Sequence, residues 1–290
     1  VNVFAIRFAI LSSLFYALNV SMVPMVYSFG VSAFLFLFFR FGTTFLLSLV
    51  VTKSLFSFTD IKEKGLVGWL ILLTILFGIQ SWLFVEAVKY IPVAIASIVL
   101  FTYPLITYLM QSYSKKKNLD FNTILMFFLA IIGMALLSQG SGEIHSLTIG
   151  LGLALLSSLS YAAIMHFTPK VTGLRNWDIV KYTTLFPALC FLSLFLYEGR
   201  ELLSFNQGFL WCFVAGTLFA IGMYFYCTAI KKYGPTRTAN VLYCEPIIVL
   251  AISSIAYTDN ISPIQYVGIA LVGIASITIE RRQSRQKYIS

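Results

Sequence analysis

Ser12-Ser13-Leu14-Phe15-Tyr16-Ala17 returns 145 residues later as Ser157-Ser158-Leu159-Ser160-Tyr161-Ala162. Pro24 follows the first tyrosine by eight residues, and Pro169 follows the second at the same spacing. Further matches run on at an offset of 142 or 143: Ala87-Val88-Lys89 with Ala229-Ile230-Lys231, Pro92 with Pro235, and Pro104 with Pro246. Ala130, Gly133 and Ala135 return as Ala270, Gly273 and Ala275, and Arg40 and Thr43 align with Lys181 and Thr184. A chain built from two copies of one unit folds into two like halves, and small residues at matched positions let helices approach closely in lipid.

The material of each half is apolar. With 59% hydrophobic residues, 11% charged residues and a mean hydropathy of +0.88, the chain does not have the composition of a soluble domain. A membrane-crossing helix needs about 20 mostly apolar residues. Ten such stretches are predicted: roughly 6–24, 30–52, 66–88, 92–113, 121–139, 147–168, 178–198, 208–230, 235–257 and 263–280. The expected fold is all-α and integral to the membrane, ten transmembrane helices as two inverted five-helix repeats. Five crossings per copy is an odd number, so the second copy enters from the opposite side. The predicted units are 1–140 for the first repeat, 147–282 for the second and 283–290 for a basic tail. The first span runs on without a cleavage site, so no removable leader is expected.

The formal charge of +9 raises the question of nucleic acid, but its distribution points to topology. With a cytoplasmic N-terminus, 16 of the 20 Lys and Arg fall at cytoplasmic span ends, Lys89 and Arg200 at outer ends, and Arg40 and Lys181 within spans. That bias predicts both termini in the cytoplasm and a multi-pass protein of the inner (plasma) membrane. The expected partners are the lipid bilayer and a small molecule, with no nucleic acid; a monomer and a homodimer both remain open. Cys190, Cys212, Cys227 and Cys244 all lie in spans and read as small buried hydrophobes. Metal-site spacings of Cys and His do not occur, so no cofactor or metal is expected.

The quoted segments carry a resemblance. Tyr16-Ala17-Leu18-Asn19, Arg40 in the second span, and Ala87-Val88-Lys89-Tyr90-Ile91-Pro92 followed by Phe101-Thr102-Tyr103-Pro104 mark the first half. Ala229-Ile230-Lys231-Lys232-Tyr233-Gly234, Tyr243-Cys244-Glu245-Pro246, Gly268 and Gly273 mark the second. Over its whole length the chain resembles the drug/metabolite transporter superfamily, of the EamA type. The resemblance implies a secondary carrier, and relatives of this kind move amino acids, nucleotide derivatives and drugs. Such proteins usually show Leu-Gly-Glu after spans 4 and 9. Here the first copy reads Ser112-Tyr113-Ser114-Lys115 and the second Tyr257-Thr258-Asp259, so only the second keeps an acid.

Polar residues at membrane depth are costly and mark candidate function. Arg40 lies about mid-span, where an arginine costs roughly 2.5–3.5 kcal/mol on insertion scales. It is a candidate clamp for a carboxylate or phosphate; pairing within the protein is the other reading. Glu245, also at mid-depth, is a candidate for substrate contact and for proton coupling, or a partner for Arg40. Tyr103 holds the corresponding place in the first half, as a substrate contact or a packing aromatic. Asn19, Gln80 and Gln111 either line the cavity or bond to backbone. Pro104 and Pro246 are candidate hinges, because proline removes a helix hydrogen bond at mid-span. Pro92 and Pro235 read as helix starts. Glu86 and Lys89 are spaced for an ion pair, Lys181 for snorkelling, and His166 as a structural histidine.

The function expected from these readings is alternating-access transport of a small metabolite, an amino acid or related compound, in the direction of export. Uptake or exchange of a nucleotide-like metabolite such as S-adenosylmethionine is the alternative within the class. A membrane-embedded transferase is the alternative outside it, and it lacks the clustered acids or histidines such chemistry needs. The chain therefore reads as not an enzyme.

Overall fold

In the computed structural model, the described residues are 3–53, 61, 65–114, 121–137, 144–199, 207–242 and scattered positions from 245 to 278. Pro246, Asp259, Arg200 and the tail 283–290 lie outside them, as do the side chains of Gln111 and Arg237. The described structure is helical throughout, without strands. In lipid no water can satisfy an open backbone, and a helix closes its hydrogen bonds within itself.

Among the described residues up to 242, eleven α-helices follow one another: α1 Val3–Ser21, α2 Val23–Ser28, α3 Ala33–Thr52, α4 Val67–Ala87, α5 Val93–Leu100, α6 Tyr103–Ser114, α7 Phe121–Leu137, α8 Ile144–Phe167, α9 Asn176–Tyr197, α10 Gln207–Tyr233 and α11 Pro235–Leu242. Among the described residues, six stretches are long and apolar enough to cross a membrane: Arg7–Ser28, Ala33–Thr52, Val67–Ala87, Leu147–Val171, Asn176–Tyr197 and Gln207–Tyr233. A shorter apolar run, Ile95–Met110, covers parts of α5 and α6. Hydroxyls inside these helices bond back to their own turn, as Thr44 Oγ1 does to the Arg40 carbonyl at 2.7 Å and Thr183 Oγ1 to that of Ile179 at 2.8 Å. Ser32 caps α3 by accepting from the Leu35 amide, and Gly234, at φ 80°, ends α10 where a side chain would be strained.

The prolines divide by role. Pro24 falls in the first turn of α2, just past a break at Met22, and Pro169 falls in a 3₁₀ turn, Thr168–Val171, that follows α8. The first span of each half is thus interrupted at its matched proline. Pro92 caps α5 and Pro235 begins α11, as helix starts. The predicted fourth span is not one helix. It breaks at Phe101–Thr102, and Pro104 stands in the first turn of the second segment, where it cannot donate to the Leu100 carbonyl.

The two halves are interleaved. α1 packs on α10 and α8 packs on α4, so the first helix of each half lies against the third long helix of the other. α3 packs on α10 as α9 packs on α4, and α3 and α9 meet along a long seam. The repeated serines explain the match. Ser12 Oγ donates to the Gly222 carbonyl in α10 at 3.0 Å, and Ser157 Oγ donates to the Gln80 carbonyl in α4 at 2.9 Å. Where helices touch most closely the side chain is missing: a Cβ on Gly216 would lie 2.7 Å from Thr43 Cβ and 2.9 Å from the Phe39 carbonyl oxygen.

Candidate functional site

At the centre of this interleaved bundle lies a cavity with walls from both halves. Tyr16 and Val20 come from α1, Arg40 from α3, Phe77, Gln80 and Phe84 from α4, and Leu100 from α5. Tyr161 comes from α8, Phe219 from α10, and Glu245 completes the wall. The space is about 30 Å³, room for roughly two water molecules and too small for a metabolite.

Arg40 is 5% exposed and reaches the cavity from the middle of α3. Its guanidinium carbon stands 4.0 Å from the centre of the Phe219 ring, a cation–π contact that offsets part of the cost of burying the charge. Its Nε has no hydrogen-bond partner. Glu245, 4% exposed, faces the same space, and the two charges attract one another across it. No ion pair within 4 Å joins them, unlike Lys89–Glu86 at 2.7 Å and Lys181–Asp178 at 3.0 Å. Gln80 lines the cavity and donates through Nε2 to Ser157 Oγ at 3.2 Å, which ties it to α8.

The other predicted site residues stand behind this wall. Tyr103 is fully buried with its ring edge-on to Tyr161 at 4.4 Å, so it packs against a lining residue and is not itself in the lining. Asn19 is equally buried, but its Nδ2 donates to the Ala215 carbonyl in α10 at 2.7 Å, which makes it a link between α1 and α10. Pro104 adjoins Tyr103 at the break between α5 and α6. The Thr102 hydroxyl in that break meets Ser158 Oγ at 2.8 Å, which anchors it to α8. Lys181 does not snorkel. It is 1% exposed and bonds Asp178 one turn earlier in α9, because an inward-facing ammonium in lipid needs a counter-charge. His166 lies off the cavity, edge-on to Phe167 at 5.0 Å, with a buried Nδ1 that has no partner.

Tyr16 and Tyr161 are lining residues that carry no charge to mark them in the sequence. The repeat itself carried the signal: they are the one aromatic shared by both copies of the serine motif, and they face one cavity from opposite halves. Tyr226 stands between them, with ring centres 6.4 Å from each, and its hydroxyl meets Met165 Sδ at 3.0 Å.

Among the described residues, no group of three or more His, Cys, Asp or Glu is arranged to hold a metal ion. Cys190, Cys212 and Cys227 are free thiols, the last two buried. This cavity arrangement, charged at the centre and closed by aromatics, belongs to a fold with known counterparts. One solved crystal structure overlays with a TM-score of 0.65, spanning 94% of this chain and 98% of its own, at 14% identity. None of the curated protein sequences matches the chain. The EamA-like transporter family matches it twice, over residues 3–139 and 148–280, and the two matches begin at the same offset as the serine motif. The chain is a multi-pass membrane protein that belongs to the EamA-like transporter family.

Proposed function

We propose that this chain is a secondary transporter that carries a small metabolite, an amino acid or related compound, out of the cell through the central cavity by alternating access. Its ten spans form two inverted five-helix repeats, 1–140 and 147–282, in the inner (plasma) membrane with both termini cytoplasmic. The observation that carries the reading is Arg40: a buried cation in a cavity shared by both halves, with Nε unpartnered and no ion pair to Glu245. Guanidinium binds a carboxylate or phosphate in two-point fashion, so Arg40 takes the anionic group of the substrate. Gln80 and Glu245 face the remaining polar groups, and Tyr16, Tyr161 and Phe219 cover the apolar part. Glu245 is the group proposed to carry a proton during the cycle. At about 30 Å³ the cavity represents a closed stage, and substrate entry needs the halves to part, hinging at the break before Pro104 and, on the sequence reading, at Pro246. The aromatic walls also suit a ring-bearing solute, which supports exchange of a nucleotide-like metabolite as the second reading.

Counterflow of radiolabelled amino acids and nucleotides in proteoliposomes, with and without a pH gradient, tests this directly. The wild-type protein is expected to exchange one class, and Arg40→Ala to lose that exchange while keeping its helical content. Full transport by Arg40→Ala removes the arginine from the site. Glu245→Gln is expected to exchange substrate yet fail to respond to the gradient.

A further inference from the structure

A cleft far roomier than the central cavity opens elsewhere in the molecule. A groove of about 400 Å³ opens between the C-terminal end of α3 (Val51, Thr52), the start of α9 and the last turns of α10. Three cations line it, Arg175, Lys231 and Lys232, and no described acid does. Asp178, beside the groove, is already shared between Arg175 Nε at 2.7 Å and Lys181 Nζ at 3.0 Å. Lys231 reaches back to donate to the Leu174 carbonyl, and Lys232 lies over the Phe8 ring at 4.5 Å, so both ammonium groups are held near the groove with no ion pair among the described residues.

The remaining lining is of two kinds. Trp177 and Tyr224 stack with ring centres 4.9 Å apart, the pairing of amphipathic rings expected at a headgroup boundary. Asn176 Nδ2 donates to Thr228 Oγ1 at 2.6 Å, which leaves Asn176 Oδ1 as an acceptor without a partner at the floor. From the groove, exposed Val51, Val50 and Leu46 continue along α3 as an apolar ledge. A cationic cup beside stacked aromatics, leading onto an apolar ledge, matches the head and the tail of one molecule.

We infer that this groove binds the phosphate of an anionic phospholipid, with its headgroup hydroxyls over Asn176 and its acyl chain along α3. A free phosphate shares the head chemistry but has no use for the ledge. The groove lies apart from the central cavity, so the inference stands or falls independently of the role of Arg40.

The test uses the purified full chain in vesicles of phosphatidylcholine, with or without phosphatidylglycerol, and in phosphatidylcholine with added inorganic phosphate. Native mass spectrometry counts retained lipid, and a thermal melt reads stabilisation. Wild type is expected to retain phosphatidylglycerol and to melt higher in its presence. Each cation removed, in Lys232→Gln and in Arg175→Gln, is expected to weaken retention by about fivefold. Lys89→Gln, which removes a charge at the other end of the molecule, leaves retention unchanged. Should Arg175→Gln fail to fold, Lys232→Gln and its rescue by Lys232→Arg carry the test. Equal retention by wild type and Lys232→Gln overturns the proposal. So does stabilisation by inorganic phosphate in the absence of phosphatidylglycerol, which would make the groove a site for a soluble anion.

Discussion

The two halves of this chain share a scaffold and differ in what they place at its centre. Ser12 and Ser157 make the same cross-link from corresponding helices, and Tyr16 and Tyr161 line one cavity from either side. The aligned positions between them diverge. Arg40 projects into the cavity while its counterpart Lys181 is held by Asp178 within its own helix. Gln80 presents an amide where the second half has Gly222, and Glu245 lines the space where the first half buries Tyr103. Symmetry supplies a cavity, and the departures from symmetry supply its chemistry. A binding site for an asymmetric solute needs both.

Removing the two matched cations one at a time should give the largest contrast between the halves. Lys181→Ala takes one of two cationic partners from Asp178, which keeps Arg175, so the cost should fall short of the about 3–5 kcal/mol of a buried charge left wholly unpaired. The expected result is a clear drop in melting temperature. Arg40→Ala is expected to fold normally and to fail only in transport, as stated above. Equal destabilisation by the two variants would mean that both cations are structural.

A smaller effect is expected at the next aligned pair. A Cβ at Gly222 would meet Tyr16 Cδ1 at 2.8 Å, so Gly222→Ala overpacks the contact between α1 and α10 at a cost of about 1–3 kcal/mol. It also pushes a lining tyrosine, so transport should fall together with stability. Gln80→Ala adds no such clash and should lower transport with little change in the melt. The two measurements together separate the glycine that shapes the wall from the glutamine that furnishes it.

The serines should show the smallest difference. Ser12→Ala removes one hydrogen bond, worth about 0.5–1.5 kcal/mol. Ser157→Ala removes its bond to the Gln80 carbonyl and also the acceptor for Gln80 Nε2. The second variant is therefore expected to be the less stable in a denaturant or thermal melt. Equal melts would show that the Gln80 side chain finds water as readily as Ser157.

Much of the architecture is legible in the sequence alone. Helix positions followed from runs of apolar residues, and α3, expected at 30–52, covers Ala33–Thr52. The break in the fourth span was visible only as Pro104, because a proline at mid-span kinks some helices and divides others. Among candidate site residues, Arg40, Gln80 and Glu245 share the cavity, whereas Tyr103 and Asn19 support it from behind. Polarity at membrane depth marks a residue as needing a partner, and it does not say whether that partner is another helix or a ligand. Tyr16 and Tyr161 were missed for the converse reason: an aromatic in an apolar span carries no cost that would flag it.

By itself the sequence determined that this protein is a doubled, helical, membrane-spanning chain, since composition, proline placement and repeated motifs are all local or periodic properties. Which buried polar groups meet is set by how the helices pack. Arg40 and Glu245 are about two hundred positions apart in the chain and come to face one space because the halves interleave, a packing outcome that no spacing rule records. Lys181 shows the same limit from the other side: its distance from a span end suggested an escape to water, and the way α9 lies against α3 and α4 closed that route and left Asp178 to neutralise it.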